Sequence, residues 1–299
     1  MIDILLYHAV RILFLLLGSL PESVRNVCAA FLGRVLYAFD HKHRRIAISN
    51  LTMAFDAEKS EAEIHAIARK VFENLCRIIF EIAWSLRLSK SEYHKYFRVS
   101  GLEEYKRILA RGKGALVLAA HFGNWEISSV LGPMYGINAR VLYRPLDAPF
   151  LDRFMLENRA RFGAKVIATH RGVMRKIFRA LRDGDAVGML FDQNVDWFEG
   201  VFVNFFNHRA CTNHGLARLA LKSKVPVVPI FMVREPKGFC AVFGPELPLI
   251  ETGDRTKDVE ANTQMYNDVI EAYARKFPDQ WFWVHQRWKT RPYCPWPKH

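Results

Sequence analysis

From residue 112 onward the hydrophobic pattern repeats in a way few folds can satisfy. Gly112-Lys113-Gly114 make a turn, and the wholly apolar run Ala115–Ala120 follows. Mostly apolar runs recur at Ala139–Tyr143, Ala164–Ala168, Ala186–Phe191 and Val225–Met232. Short runs of this kind, rich in Val and Leu, suit strands buried on both faces. Helical patterns lie between them, over about Ala148–Arg161, Gly172–Arg182 and Thr212–Ser223, the last with Thr212 as N-cap. The alternation implies an α/β fold, with a mostly parallel central sheet flanked by helices. Ligands of such sheets bind beyond the carboxyl ends of the strands. The residues just past the first four runs are His121, Arg144, Thr169 with His170, and Asp192. All four ends thus carry a titratable or cationic group.

Residues 1–95 have a different period. Val71, Leu75, Ile78, Ile79 and Ile82 recur at helical spacing, and Ser60 with Glu63 forms a capping-box signature. The first twenty residues are strongly apolar, with Asp3 at the start and Arg11 at the centre. The acidic start and the Arg in mid-segment argue against a removed signal. The length suits a spanning helix, but a central Arg costs roughly 2.5–3.5 kcal/mol on insertion scales. A marginal span, an interfacial anchor and a buried core helix all remain open. Arg25, Arg34, Lys42, Arg44 and Arg45 follow among apolar residues, as in helices that lie on anionic lipid. The expected organisation is an anchor or interfacial helix over 1–20 and a single domain over 21–299, helical to about residue 95 and α/β after it. With 43 Lys+Arg against 30 Asp+Glu, the chain carries a formal +13. Anionic membrane and acidic soluble partners fit that charge. Nucleic acid is not expected, because no zinc-finger, basic-zipper or RNA-binding signature occurs. Five dispersed cysteines without a CxxC pair argue against a disulfide scaffold or zinc ribbon and suit a reducing compartment.

The sharpest candidate for chemistry is His121-Phe-Gly-Asn-Trp-Glu126. Gly123 permits a tight turn and a helix can begin near Asn124. With His121 in the loop and Glu126 in the first turn, the carboxylate can fold back to the imidazole. A carboxylate on one ring nitrogen fixes the tautomer and leaves the other nitrogen as a base for a substrate hydroxyl. A structural histidine at a strand end is the competing reading. Arg144, Arg153, Arg159 and Arg161 supply cations suited to phosphate or carboxylate. Arg159 and Arg161, two apart, cannot share a helix face, so one can face the site and the other solvent. Asp192 can hold an arginine or a sugar hydroxyl, or cap a loop. Phe202, Phe205 and Phe206 are core or an acyl-chain wall. Trp281-Phe-Trp-Val-His-Gln-Arg-Trp-Lys289 suits a membrane interface or an aromatic core cap. No G-x-S-x-G elbow or HExxH spacing is present, so neither an acyl-enzyme serine nor a metal is expected, and Cys211 near His214 reads as a buried thiol.

Together, HFGNWE at 121–126, YRP at 143–145, NRAR at 158–161, FDQ at 191–193, GVFVNFF at 200–206, PVVP at 226–229 and PDQWFWVHQRWKTRP at 278–292 resemble the bacterial lipid A biosynthesis acyltransferases of the lauroyl- and myristoyltransferase type. The resemblance extends to R-x4-N-L at Arg45–Leu51 and to the apolar N-terminus. It implies a glycerolipid-acyltransferase-like fold and an enzyme on the cytoplasmic face of the inner membrane, with no cofactor. Such an enzyme moves a fatty acyl chain from acyl carrier protein to the hydroxyl of an acyl chain on a phosphorylated glycolipid, the lipid A precursor. On motif position His121 and Glu126 are the implied catalytic pair, and Arg144, Arg159 and Asp192 the implied substrate-binding residues. One departure is Gln286, where many members have a second Arg. A glycerolipid O-acyltransferase with the same His-x4-Glu chemistry and a non-catalytic membrane-surface protein are the alternatives.

Overall fold

The computed structural model describes residues 2–56, 58–169 and 172–292. The N-terminal third is helical: α1 (Ile2–Ser19), α2 (Glu22–Phe39), α3 (His41–Phe55), α4 (Glu61–Ser85) and α5 (Lys90–Tyr96). Ser60 and Glu63 do form a reciprocal capping box that opens α4. α1 is docked along its length rather than standing free. The Tyr7 hydroxyl donates to Glu157, Phe14 packs on Phe154, and Gly18 meets the α4 backbone so closely that a Cβ would collide with the Ala83 carbonyl. Its remaining face is apolar and exposed, through Ile2, Leu5, Ile12, Leu13 and Leu16. α2 continues this exposure with Val27, Phe31 and Phe39, while Ala29 and Gly33 face α4.

The rest of the chain builds the sheet. Strands β1 (Phe97–Ser100), β2 (Ala115–Ala119), β3 (Ala139–Tyr143), β4 (Lys165–Ala168), β5 (Ala186–Leu190), β8 (Val227–Arg234) and β9 (Phe239–Phe243) lie in the order β1-β9-β8-β2-β5-β3-β4. The five strands from β8 to β4 are parallel, as the buried apolar runs require. β9 returns antiparallel to β8, and β1 pairs parallel to β9. One face of the sheet buries Leu116, Leu118 and Val187 under α9 (Val173–Arg182), α10 (Gly215–Ser223) and α11 (Arg255–Lys276). The other face buries Val228 and Met232 with residues of α6 (Leu102–Leu109), α7 (Leu131–Met134) and α8 (Pro149–Arg159). α1 docks on this second side.

Two sequence expectations change. Thr212 is not an N-cap: it lies in β7 (His208–Asn213), which forms a two-stranded antiparallel hairpin with β6 (Gly200–Phe205), and α10 starts after His214. The β-branched and aromatic residues of 200–212 find cross-strand partners there, which outweighs the capping preference of one Thr. Arg161 does not turn to solvent. Its guanidinium donates to the Ser85 and Leu88 carbonyls and stacks on Phe162, holding the end of α8 to the end of α4.

Candidate active site

β3 and β5 are paired from Ala139↔Ala186 to Val141↔Gly188 and then part, although each strand continues for two residues. A cavity of 630 Å³ opens at this end of the sheet. Its walls are largely apolar, with small side chains on the strands (Val117, Ala119, Ala139, Ala186), and His121, Glu126, Arg144 and Arg159 all line it. The cavity therefore opens where the carboxyl-end rule expects a ligand to bind. Thr169 lines it as well. His170 lies outside the described residues.

His121 leaves β2 into a loop that its neighbours pin. Gly123 has a left-handed φ of 58°, and a Cβ there would strike the Met232 carbonyl, so only glycine fits without strain. Its N–H donates to the Gln280 carbonyl at 2.9 Å. Asn124 is fully buried and donates to Glu81 at 2.9 Å, and Glu81 takes a bidentate pair from Arg234 at 2.6 and 2.8 Å. A 3-10 helix, Trp125–Val130, then carries Glu126.

The expected contact between Glu126 and His121 is not the one the fold makes. The imidazole Nδ1 is bonded to Asp192 Oδ1 at 2.8 Å, and the His121 N–H donates to Asp192 Oδ2 at 2.9 Å. Asp192 Oδ2 also accepts from the Trp281 indole at 2.8 Å. Glu126 instead receives the Arg159 guanidinium as a fork, Nε at 2.9 Å and Nη2 at 2.8 Å. The reason is topological. β5 lies beside β2 in register, so the second residue past β5 reaches the second residue past β2 directly, whereas Glu126 has moved on along its helix toward α8. Asp192 is likewise not a wall residue of the cavity. It is 1% exposed and wholly engaged by His121 and Trp281.

The electrostatics follow from this packing. Burial alone would raise the Asp192 carboxyl, but the His121 ring and N–H outweigh it and hold the group down at about 2. An ionised Asp192 accepts from Nδ1–H, which leaves Nε2 as the ring nitrogen not taken by Asp192. Across the cavity wall, the Arg159 Nη1 is buried and has no hydrogen-bond partner, while its other two nitrogens are committed to Glu126. Arg159 also lies over the Tyr143 ring at 5.5 Å. Arg144 is exposed at the rim.

The C-terminal aromatic motif is part of this site, as a core cap rather than a surface. Trp281 and Trp283 are buried in edge contact at 4.6 Å, and Phe282 packs on His121, with its N–H donating to the His121 carbonyl at 3.1 Å. Arg287 is fully buried and donates to the Cys211 carbonyl, Thr212 Oγ1 and Asn267 Oδ1 at 3.1, 2.5 and 3.0 Å. Asn50, from the R-x4-N-L motif, ties the segment down through the Trp283 and His285 carbonyls at 2.7 Å each. Sequence reasoning named Trp281 only within a motif and gave Asn50 no role. Their signal was the motifs themselves, with Trp281 lying 89 residues from Asp192 and the partners of Asn50 more than two hundred residues from it. Cys211 is buried and its thiol pushed up by that burial, which suits the inert reading. Among the described residues, no group of three or more His, Cys, Asp or Glu is placed to hold a metal.

The lipid A biosynthesis palmitoleoyltransferase of Escherichia coli K12 is 28% identical over 278 residues, covering 92% of this chain and 88% of that one. The lauroyltransferase of the same strain is 27% identical over 280 residues, covering 93% and 89%. A lipid A biosynthesis acyltransferase of Haemophilus influenzae is 26% identical over 277 residues, covering 93% and 85%. The model of the bacterial lipid A biosynthesis acyltransferase family matches residues 1–290, and the chain belongs to that family.

Proposed function

We propose that this acyltransferase moves a fatty acyl group from acyl carrier protein to the hydroxyl of an acyl chain on a phosphorylated lipid A precursor, at the cytoplasmic face of the inner membrane. The observation that carries the reading is an imidazole locked by a buried carboxylate at the mouth of an apolar cavity, with an unpaired buried guanidinium N–H in the same wall.

The chemistry is direct transfer. His121 Nε2 takes the proton of the acceptor hydroxyl as its oxygen attacks the thioester carbonyl carbon. Asp192 stabilises the imidazolium that forms. Negative charge gathers on the carbonyl oxygen, and Arg159 Nη1–H is the donor available to receive it. Glu126 serves by holding Arg159 in place and balancing its charge. Collapse of the adduct breaks the C–S bond, and the departing thiolate takes the proton back from His121. Small strand residues in the cavity leave room for an alkyl chain. Arg144 at the rim suits an acceptor phosphate, because guanidinium binds phosphate as a fork. The exposed apolar face of α1 and α2 would rest in one leaflet. α1 is bound to α4 and α8 along its length and would have to leave them to span.

Mass spectrometry tests the reading. Full-length protein is incubated with acyl carrier proteins bearing chains of different length and a tetra-acyl lipid A precursor. Addition of one acyl chain is expected, with His121→Ala lowering turnover by at least about 10²-fold. A folded His121→Ala protein with near-normal turnover would remove the base from the mechanism. Acylation of lysophosphatidic acid in preference to the glycolipid would replace the acceptor.

A further inference from the structure

We infer that α9 is the docking surface for the acidic protein that delivers the acyl donor. The inference rests on the reading that a carrier protein supplies the chain. It goes further by naming the face that receives it.

α9 has two stripes. Val173, Ile177 and Ala180 recur at helical spacing and face the protein, with Val173 and Ile177 lining the cavity that holds His121. Arg175, Arg179 and Arg182 recur on the other side and are exposed. The helix carries no acidic residue. Some exposed helical cations elsewhere do have a carboxylate one turn away: Lys106 has Glu103, Arg107 has Glu104 and Arg153 has Glu157. Among the described residues, Arg175, Arg179 and Arg182 form no ion pair. Two of them lie in the last turn, where the helix dipole favours cations, but Arg175 does not, so the dipole leaves the stripe unexplained. α10 extends the patch, because Lys222 sits over the Phe178 ring of α9 at 5.1 Å. An unpaired cationic stripe whose back lines the donor cavity is what an acidic protein with a tethered chain requires.

A bilayer is the other anionic partner to weigh. Most of the strongly exposed apolar residues are on α1 and α2, with Trp197 and Phe198 exposed in the loop before β6, and α1 packs into the cluster on the other side of the sheet from α9. α9 exposes a single large apolar residue, Met174, and that residue lines the cavity. The observations favour a protein.

The test compares donors. The Arg175→Glu, Arg179→Glu, Arg182→Glu triple variant is assayed with lauroyl acyl carrier protein and with lauroyl-coenzyme A against one glycolipid acceptor. KM for the carrier is expected to rise about tenfold or more with kcat little changed, while coenzyme A turnover stays within about twofold. Fluorescence anisotropy of labelled carrier provides a readout independent of turnover. Affinity should fall in parallel, with circular dichroism and Tm unchanged, and wild-type binding should weaken with salt. Equal losses with both donors, or an unchanged carrier KM and affinity, would overturn the assignment. So would lost binding to anionic phosphatidylglycerol vesicles with the carrier unaffected, which gives α9 to the membrane. A wild-type enzyme that neither binds nor uses the carrier refutes the donor reading itself, a different result from a carrier that works without α9.

Discussion

Residues 1–39 and residues 281–289 both mix large apolar side chains with arginine, and the fold treats them oppositely. In α1 and α2 most of the apolar side chains face outward, and the contacts to the protein are made by Tyr7 and Phe14 and by small residues, Gly18, Ala29 and Gly33, that let backbones approach. In the terminal segment the apolar rings face inward and even the cation is buried, because Cys211, Thr212 and Asn267 supply acceptors for it. Composition alone cannot separate the two cases. What separates them is whether the rest of the chain offers polar partners for the groups that burial would strip of water.

If the terminal segment and the Asp192 that Trp281 holds form a positioning scaffold, damage there should be large. Asp192→Asn has the greatest expected effect. An amide cannot accept from both the His121 N–H and Nδ1–H while keeping the charge, so the ring loses its fixed tautomer. Turnover should fall by about 10³–10⁴-fold with KM and fold retained, as read by steady-state kinetics and circular dichroism. A loss under tenfold would return the orienting role to Glu126. Arg287→Ala comes next. It leaves three acceptors facing a void, and a stability loss of about 3 kcal/mol or more is expected from denaturant unfolding.

His285 adds a pH signature to the same region. Burial, opposed by the neighbouring Asp192 charge, pushes it down to about 4, so it stays neutral in the folded protein. The unfolded chain binds that proton near pH 6.5, and stability should therefore be full above that pH and fall as pH drops toward about 4. Asp192 extends the loss further, below its own ordinary range toward about 2. In His285→Gln the slope between about pH 6.5 and 4 should flatten, with the acid limb due to Asp192 still present. An unchanged slope would show that other groups govern it.

How much of this was legible beforehand depended on range. The parallel sheet was readable because each strand buried on both faces writes an unbroken apolar run, as in Ala115–Ala119 and Ala186–Leu190. The end of the sheet at which the cavity opens followed from where those runs stop. β1 and its neighbour β9 were not distinguished: β1 has only four residues of mixed polarity, and β9 is a five-residue apolar run close behind β8. The partner of His121 was misread for a related reason. Spacing within HFGNWE is a local signal and pointed to Glu126, whereas the contact that forms depends on β5 lying next to β2 in register, which is a property of strand order. Asn50 depends on contacts more than two hundred residues away, and the acceptors of Arg287 come from β7 and α11, so both could be seen only as motif letters.

The smallest stability effect, and the one that tests the N-terminal half of the comparison, belongs to the outward face of α1 and α2. Leu13→Ser and Phe31→Ser remove apolar groups that have little protein around them, so stability in detergent should move by no more than about 0.5 kcal/mol. If that face rests in lipid, the same substitutions give up the transfer of each side chain out of water, roughly 1.5–3 kcal/mol apiece. Partition into anionic vesicles, measured by sedimentation, should then fall about tenfold or more for each. Arg34 and Arg44 flank this surface, so the residual binding should weaken with salt. A large drop in stability would mean that the face is covered by protein after all. Unchanged partition would place the lipid contact elsewhere, and the reading of α1 and α2 as a shared, non-spanning anchor would fall with it.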